Sequence, residues 1–176
     1  MSVSLELRDE VRKRARRTCE YCGVTEAEVG SELTLDHFRP DKEGGQGTSE
    51  NLVYACHRCN EHKGAYWPKN LEDLPLWNPR LQTREEHFIQ LMDGTLLALT
   101  PVGHWTIQRL RLNRSPLVLN RLSRQERANL SHQIRQYRDV VRLLSELLAQ
   151  QQVTQQEQAE LLHQYRLLLN ALDRSQ

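Results

Sequence analysis

The stretch LTLDHFRPDKEGGQGTSENLVYACHRCNEHKG, Leu33 to Gly64, decides the fold. With the preceding Glu32, its opening ELTLDH alternates polar and apolar residues, as a short strand does. RPDKEGGQGTSE follows as a loop, because Pro40, Gly44, Gly45 and Gly47 interrupt regular structure. NLVYAC resumes an extended run, and CNEHKGAY begins a helix near Asn60. One short segment therefore collects Asp36-His37, a glycine turn, Asn51 and Cys56-x-x-Cys59-Asn60.

Upstream, Cys19-x-x-Cys22 repeats the spacing of Cys56-x-x-Cys59, and these two pairs hold all four cysteines of the chain. In a reducing compartment that spacing favours a metal over disulfides. Four thiolates suit tetrahedral Zn²⁺, and a closed four-sulfur site leaves no position for substrate, so the zinc is structural. With few apolar residues between the knuckles, the ion replaces missing core and ties folding to its own presence. Closing it pulls the first pair against the second and folds the Asp36-His37 strand over the helix near Asn60.

Neighbours in a strand point to opposite sides, so Asp36 and His37 do different jobs. One division gives the carboxylate to a metal and the imidazole to water. Asn60 offers a second oxygen ligand, and an oxygen-rich, incompletely filled site suits Mg²⁺ or Mn²⁺. A divalent cation beside a lone imidazole fits phosphodiester hydrolysis, with His37 removing a proton from the attacking water. Lys63, with Arg58 or His62 nearby, is the candidate donor to the phosphate, and His62 is also a candidate ligand two positions past Asn60. Asn51, on the far side of the glycine loop, is placed to pin that loop through hydrogen bonds to backbone and so orient His37.

These residues resemble the HNH nuclease family, in the form whose ββα-metal core is stapled by a four-cysteine zinc. Asp36-His37, Pro40, Gly44-Gly45, Asn51-Leu52 and Cys56-x-x-Cys59-Asn60-x-x-Lys63-Gly64 fall in the family's order and spacing. The resemblance implies His37 as general base, Asp36 and Asn60 as ligands of the catalytic cation, Asn51 as the orienting residue, and products with 5′-phosphate and 3′-hydroxyl ends. The motif's final position is often His and is Asn60 here. Downstream, LWNPRLQTREEHF, LTPVG and LRLN resemble the flank of a bacterial subgroup of small HNH proteins, which extends the likeness over roughly the first two-thirds of the chain.

Outside this segment, the 176 residues allow one core of ordinary size and a helical extension. Leu5 to Arg17 reads as a basic amphipathic helix, and Asp93-Gly94 between apolar stretches signals a tight β-hairpin. Thr100-Pro101 and Ser115-Pro116 open helices. Leu130, Ile134, Tyr137, Val141, Leu144 and Leu148 form one seam at steps of four and three, and Leu161, Tyr165, Leu168 and Leu172 form another. The capping box TQQE from Thr154 to Glu157 predicts a break between them, hence a helical hairpin, or else pairing with a second copy or a partner protein. The expected architecture is α+β: a zinc-stapled, treble-clef-like core over 1–66, an arm with β-hairpin and short helix over 67–114, and a helical hairpin over 115–176.

A net charge of +1 gives no bulk signature of a nucleic-acid partner, so that reading rests on local charge. Arg12, Lys13, Arg14, Arg16 and Arg17 form one basic cluster, and Arg109, Arg111, Arg114, Arg121, Arg124 and Arg127 form another. The candidate nucleic-acid contacts are Arg12, Lys13, Arg16, Arg17, Arg39 and Arg58. Charges occupy the amino terminus where a signal peptide needs an apolar run, and no stretch approaches the roughly 20 apolar residues of a membrane span, so a cytoplasmic protein is expected. The function expected is a metal-dependent endonuclease acting on DNA. The alternatives are a zinc-knuckle module that binds nucleic acid without cutting it and a nuclease effector or toxin subunit under a partner's control.

Overall fold

The computed structural model describes residues 3–173, with side chains described through residue 167. The chain forms two compact units, Met1–Arg124 and Gln125–Gln176. The first is a mixed helix and strand domain. Helix α1, Leu5–Arg14, starts where the Ser4 hydroxyl accepts from the Leu7 amide at 3.2 Å, and it buries Val11. It stops short of the predicted Arg17 because Arg16 and Arg17 both turn left-handed, with φ of 52° and 56°. A short helix α2, Glu26–Val29, begins in a capping box formed by Thr25 and Glu28 and ends at left-handed Gly30.

Strands β1, Thr34–His37, and β2, Leu52–Ala55, pair antiparallel, with Asp36 opposite Val53 and His37 opposite Leu52. Helix α3, His57–Lys63, follows at once, so it starts inside the second cysteine pair rather than near Asn60. All four residues of β2 are buried, alongside Tyr21, Leu33, Leu110 and Leu112. The sequence between the strands is held by a tight backbone contact: a Cβ at Gly45 would lie 1.8 Å from the Arg39 carbonyl oxygen, which only glycine avoids.

Beyond α3 the chain wraps without regular elements to the hairpin β3, Phe88–Gln90, and β4, Leu96–Ala98. Its turn uses left-handed Gly94, φ 79°, packed under Val118 and Leu122. Helix α4, Pro101–Leu110, is capped by Thr100, whose hydroxyl accepts from the Gly103 amide at 3.0 Å. Its C-cap is Arg111, in the left-handed region.

Helix α5 runs unbroken over Ser115–Asp173, which corrects the expected helical hairpin. Thr154 does not cap a new helix, because its hydroxyl donates to the Gln150 carbonyl one turn back at 3.1 Å. After Pro116 the helix contains no Gly or Pro, and glutamine is a good helix former, so Gln150–Gln156 has no means of stopping it. In one continuous helix the seam through Leu148 passes Gln151, Gln155 and Gln158 to Leu162 and Tyr165, so Leu162 replaces the expected Leu161. The side chains of Leu168 and Leu172 lie outside the described residues. Among the described residues, no helix is long and apolar enough to cross a membrane.

Candidate active site

The four cysteine sulfurs lie within 4.8 Å of one another, and all four residues are buried and unoxidised. Cys22 and Cys56 sulfurs are 3.7 Å apart. A tetrahedron with Zn–S bonds of about 2.3 Å has edges of about 3.8 Å, the spacing of Cys22 and Cys56, so the four sulfurs are grouped to hold zinc. Two local turns set it up. Cys19 donates its amide to Val24 while Gly23 donates back to Cys19, both at 2.8 Å, which makes the first knuckle. The first turn of α3 makes the second. The Arg114 guanidinium lies 3.8 Å from the Cys59 sulfur and offsets part of the thiolate charge.

The clamp brings α3 against one face of β1. Asn60 and Lys63, three apart on the helix, share that face: the Asn60 amide donates to the Thr34 hydroxyl at 3.3 Å, and the Lys63 ammonium lies 3.1 Å from Asp36 Oδ1. Lys63 also donates to the His37 carbonyl at 2.7 Å and is 1% exposed. It is thus an internal ion-pair partner, and the expected role as a phosphate donor is corrected by this burial. Asp36 is 6% exposed, and its Oδ2 accepts from the Tyr21 hydroxyl at 2.9 Å. Burial pushes the Asp36 carboxyl above its ordinary range against the pull of Lys63, and the same burial holds the Lys63 ammonium below its own.

This arrangement tests the expected divalent-cation site directly. Both Asp36 oxygens are engaged, and an ammonium already occupies the space beside one of them. An Mg²⁺ or Mn²⁺ ion needs open oxygen ligands with room for its waters, so the Asp36–Asn60 pair does not fit that ion as arranged. His62 cannot supplement it. Two residues along a helix is about 200° of rotation, which turns His62 away from Asn60 to the outer face of α3. There burial and the charges of Arg114 and Arg111 hold its imidazole below the ordinary histidine range.

His37 sits on the other face of β1. Its Nε2 lies 3.2 Å from Asp41 Oδ1, four residues along the chain, and the side chain is partly open. It lines a cavity of about 670 Å³ with Asp41, Gly45, Gly47 and the start of α1. The loop that forms this wall is pinned by Asn51. Its Oδ1 accepts from the Arg39 amide at 2.9 Å, and its Nδ2 donates to the carbonyls of Arg39 at 3.0 Å and Gln46 at 2.8 Å. Asp41 and Tyr21 were not singled out in the sequence. Neither carries a local signal: His37 ends a strand and Asp41 opens the turn after Pro40, so their spacing is not a helical one, and Tyr21 lies fifteen residues from Asp36.

The basic candidates divide. Arg12 forms a two-pronged pair with Glu26 at 2.6 and 2.7 Å and a contact to Glu32, so it serves the fold rather than a phosphate. Lys13 pairs with Asp9 on the surface of α1. Arg39 donates to the Glu43 carbonyl and lies over the Trp67 ring. Arg16 and Arg17 are exposed, with no side-chain hydrogen bond or ion pair among the described residues, and Arg58 is exposed beside Glu61. In the second cluster, Arg109 lies over Tyr66, Arg121 is buried on the Gly94 and Leu112 carbonyls, and Arg124 pairs with Glu28.

Comparison with known proteins agrees with this geometry over the core. Residues 19–65 match the model of the HNH endonuclease family. A segment of 63 residues, 33% of the chain, is 43% identical to the CRISPR-associated endonuclease Cas9 of Corynebacterium diphtheriae (strain ATCC 700971 / NCTC 13129 / Biotype gravis), and the chain spans 6% of that protein's length. No solved structure matches.

Proposed function

Residues 19–65 form an HNH endonuclease domain, and from that premise we propose that the chain is an endonuclease that hydrolyses phosphodiester bonds in DNA, with His37 as general base. The observation that carries this reading is the placement of the His37 imidazole: partly open to a cavity, beside Asp41 at 3.2 Å, and backed by a loop that Asn51 holds. A phosphodiester entering this cavity meets a water whose proton passes to the imidazole as the water oxygen bonds to phosphorus. The bond from phosphorus to the departing 3′ oxygen breaks and that oxygen takes a proton from solvent, leaving 5′-phosphate and 3′-hydroxyl ends. Asp41 fixes the ring and stabilises the imidazolium that results. A binding module without catalysis does not require an imidazole held in this way.

Plasmid incubated with the protein and Mg²⁺ or Mn²⁺ tests the reading, with EDTA as the control for a divalent-ion requirement. Cleavage is expected from the wild type and not from His37→Ala, with zinc content and circular dichroism unchanged. Equal cleavage by the variant refutes the base. Failure of the wild type to cut plasmid, single-stranded DNA or RNA refutes the activity.

The second unit supports a partner of its own. Ile134, Tyr137, Val141, Leu144 and Leu148 are 43% to 71% exposed along one stripe of α5. We infer that a second copy of the chain covers this stripe as a parallel, in-register coiled coil. The stripe keeps one heptad frame from Leu130 to Tyr165, and in-register pairing sets Gln151, Gln155 and Gln158 each against its own copy. Sliding by a heptad would set Gln151 against Leu144 and strand a polar amide among apolar side chains.

A further inference from the structure

The outer face of α3 borders a cavity of about 600 Å³ that the hydrolytic chemistry does not use. Its basic groups come from two places in the fold. Arg58, with His57 and His62, projects from α3, and Arg111 and Arg114 come from the junction of α4 and α5. Its floor is apolar, formed by Val24, Val29, Pro116 and Leu117. Three guanidinium groups over an apolar floor suit a ligand with a flat, weakly polar body and an attached anion. The volume lies in the range of small-ligand sites, roughly 300–1,000 Å³.

The charges on the rim are available to different degrees. Arg114 is fixed, since it donates to the Leu110 and Arg111 carbonyls and leans on the Cys59 sulfur. Arg111 is exposed, and its guanidinium makes no hydrogen bond or ion pair among the described residues. Its left-handed backbone, φ 49°, carries the chain from α4 towards α5. Arg58 has only the surface pair with Glu61 at 3.0 Å, worth little in water and readily exchanged for a phosphate. The one carboxylate among the lining residues, Glu28, is engaged by Arg124 at 2.8 Å.

We propose that this cavity is a second nucleic-acid contact, in which Arg58 and Arg111 hold a phosphate of the bound strand while its nucleotide lies over the apolar floor. The identity of the ligand rests on the nuclease reading. Arg58 and Arg111 then act as binding residues outside the reacting centre, because α3 separates this cavity from the β1 face that it covers.

A 5′-fluorescein single-stranded oligonucleotide, titrated by anisotropy without divalent ions at several salt concentrations, tests the site. The double variant Arg58→Gln with Arg111→Asn removes both charges, and asparagine tolerates the left-handed backbone. Binding about 10-fold weaker is expected, with the slope of log affinity against log salt reduced by about 0.7, for the one phosphate the two guanidinium groups share on a single strand. The charge-keeping pair Arg58→Lys with Arg111→Lys restores most of the slope. An unchanged affinity or an unchanged slope in a variant of normal zinc content overturns the site, and if that variant still cuts plasmid the nuclease reading stands. A wild type that binds no oligonucleotide yet cuts plasmid also overturns the site, whereas one that neither binds nor cuts overturns both.

Discussion

Asp36 shows how one carboxylate can be claimed by two roles. Its place in the motif resembles that of a metal ligand, yet its oxygens are held by Tyr21 and Lys63 inside the domain. Removing one member of such a pair strands the other. Lys63→Met is therefore expected to destabilise the domain by about 3–5 kcal/mol at neutral pH, read from denaturant midpoints. The sign with pH follows from the raised Asp36 value. A carboxyl that protonates more readily when folded contributes stability below its unfolded range, and that contribution is lost as pH rises through the folded value. The variant should thus lose less relative to wild type near pH 4 than near pH 7. A pH-independent loss would show that packing, and not charge, is what Lys63 supplies.

At the scale of elements, two side chains fasten segments that propensity alone would leave loose. Asn51 closes the loop between β1 and β2 through three hydrogen bonds to backbone. Asn51→Ala is expected to cost about 2 kcal/mol and to lower kcat for plasmid cleavage more than it raises KM, since it frees the wall beside His37. A stability loss with unchanged kcat would confine Asn51 to the fold. Glu26, at the start of α2, joins Arg12 of α1 to the Tyr54 hydroxyl of β2. The Arg12 hydrogen bond, more than the Tyr54 contact, holds its carboxyl down to about 2. A depressed carboxyl contributes stability above its unfolded range and loses it as pH falls through the folded value, here between about 4.5 and 2. Melting temperatures over that window should fall less steeply for Glu26→Gln than for wild type.

For the whole molecule, the four-cysteine clamp and the long helix give separate expectations. Stripping the metal with a strong chelator should unfold the β1–β2–α3 core, seen as lost circular dichroism and a lower-temperature transition, because the sulfurs hold α3 to the first knuckle. A chelated protein that melts as before would deny the metal its structural part. The stripe on α5 predicts a dimer by sedimentation velocity and a monomer for Ile134→Glu with Leu144→Glu. Under oxidising conditions Gln151→Cys and, in a separate variant, Ile134→Cys should each cross-link to its own copy, as the parallel in-register arrangement brings both positions against themselves and an antiparallel pair does not. A monomeric wild type, or no cross-link in a dimer, would overturn that pairing.

The sequence by itself determined the local features: both knuckles, the glycine loop with its Asn51 tether, the hairpin at Asp93-Gly94, the cap at Thr100 and the start of a helix at Ser115-Pro116. Each is written within a few residues, through turn chemistry, capping and ligand spacing. Only the tertiary structure decided that Lys63 lies inside on Asp36, that His37 pairs with Asp41 in a separate cavity, and that Arg12 is spent on Glu26 while Arg111 remains open. Those outcomes depend on which long side chains packing encloses and which it leaves in water. Burial is set by segments distant in the chain, so neither periodicity nor motif spacing encodes it. The uninterrupted α5 lies between the two cases: its helical propensity was legible, but a capping box acts only if some other contact first turns the chain, and none is present among the described residues.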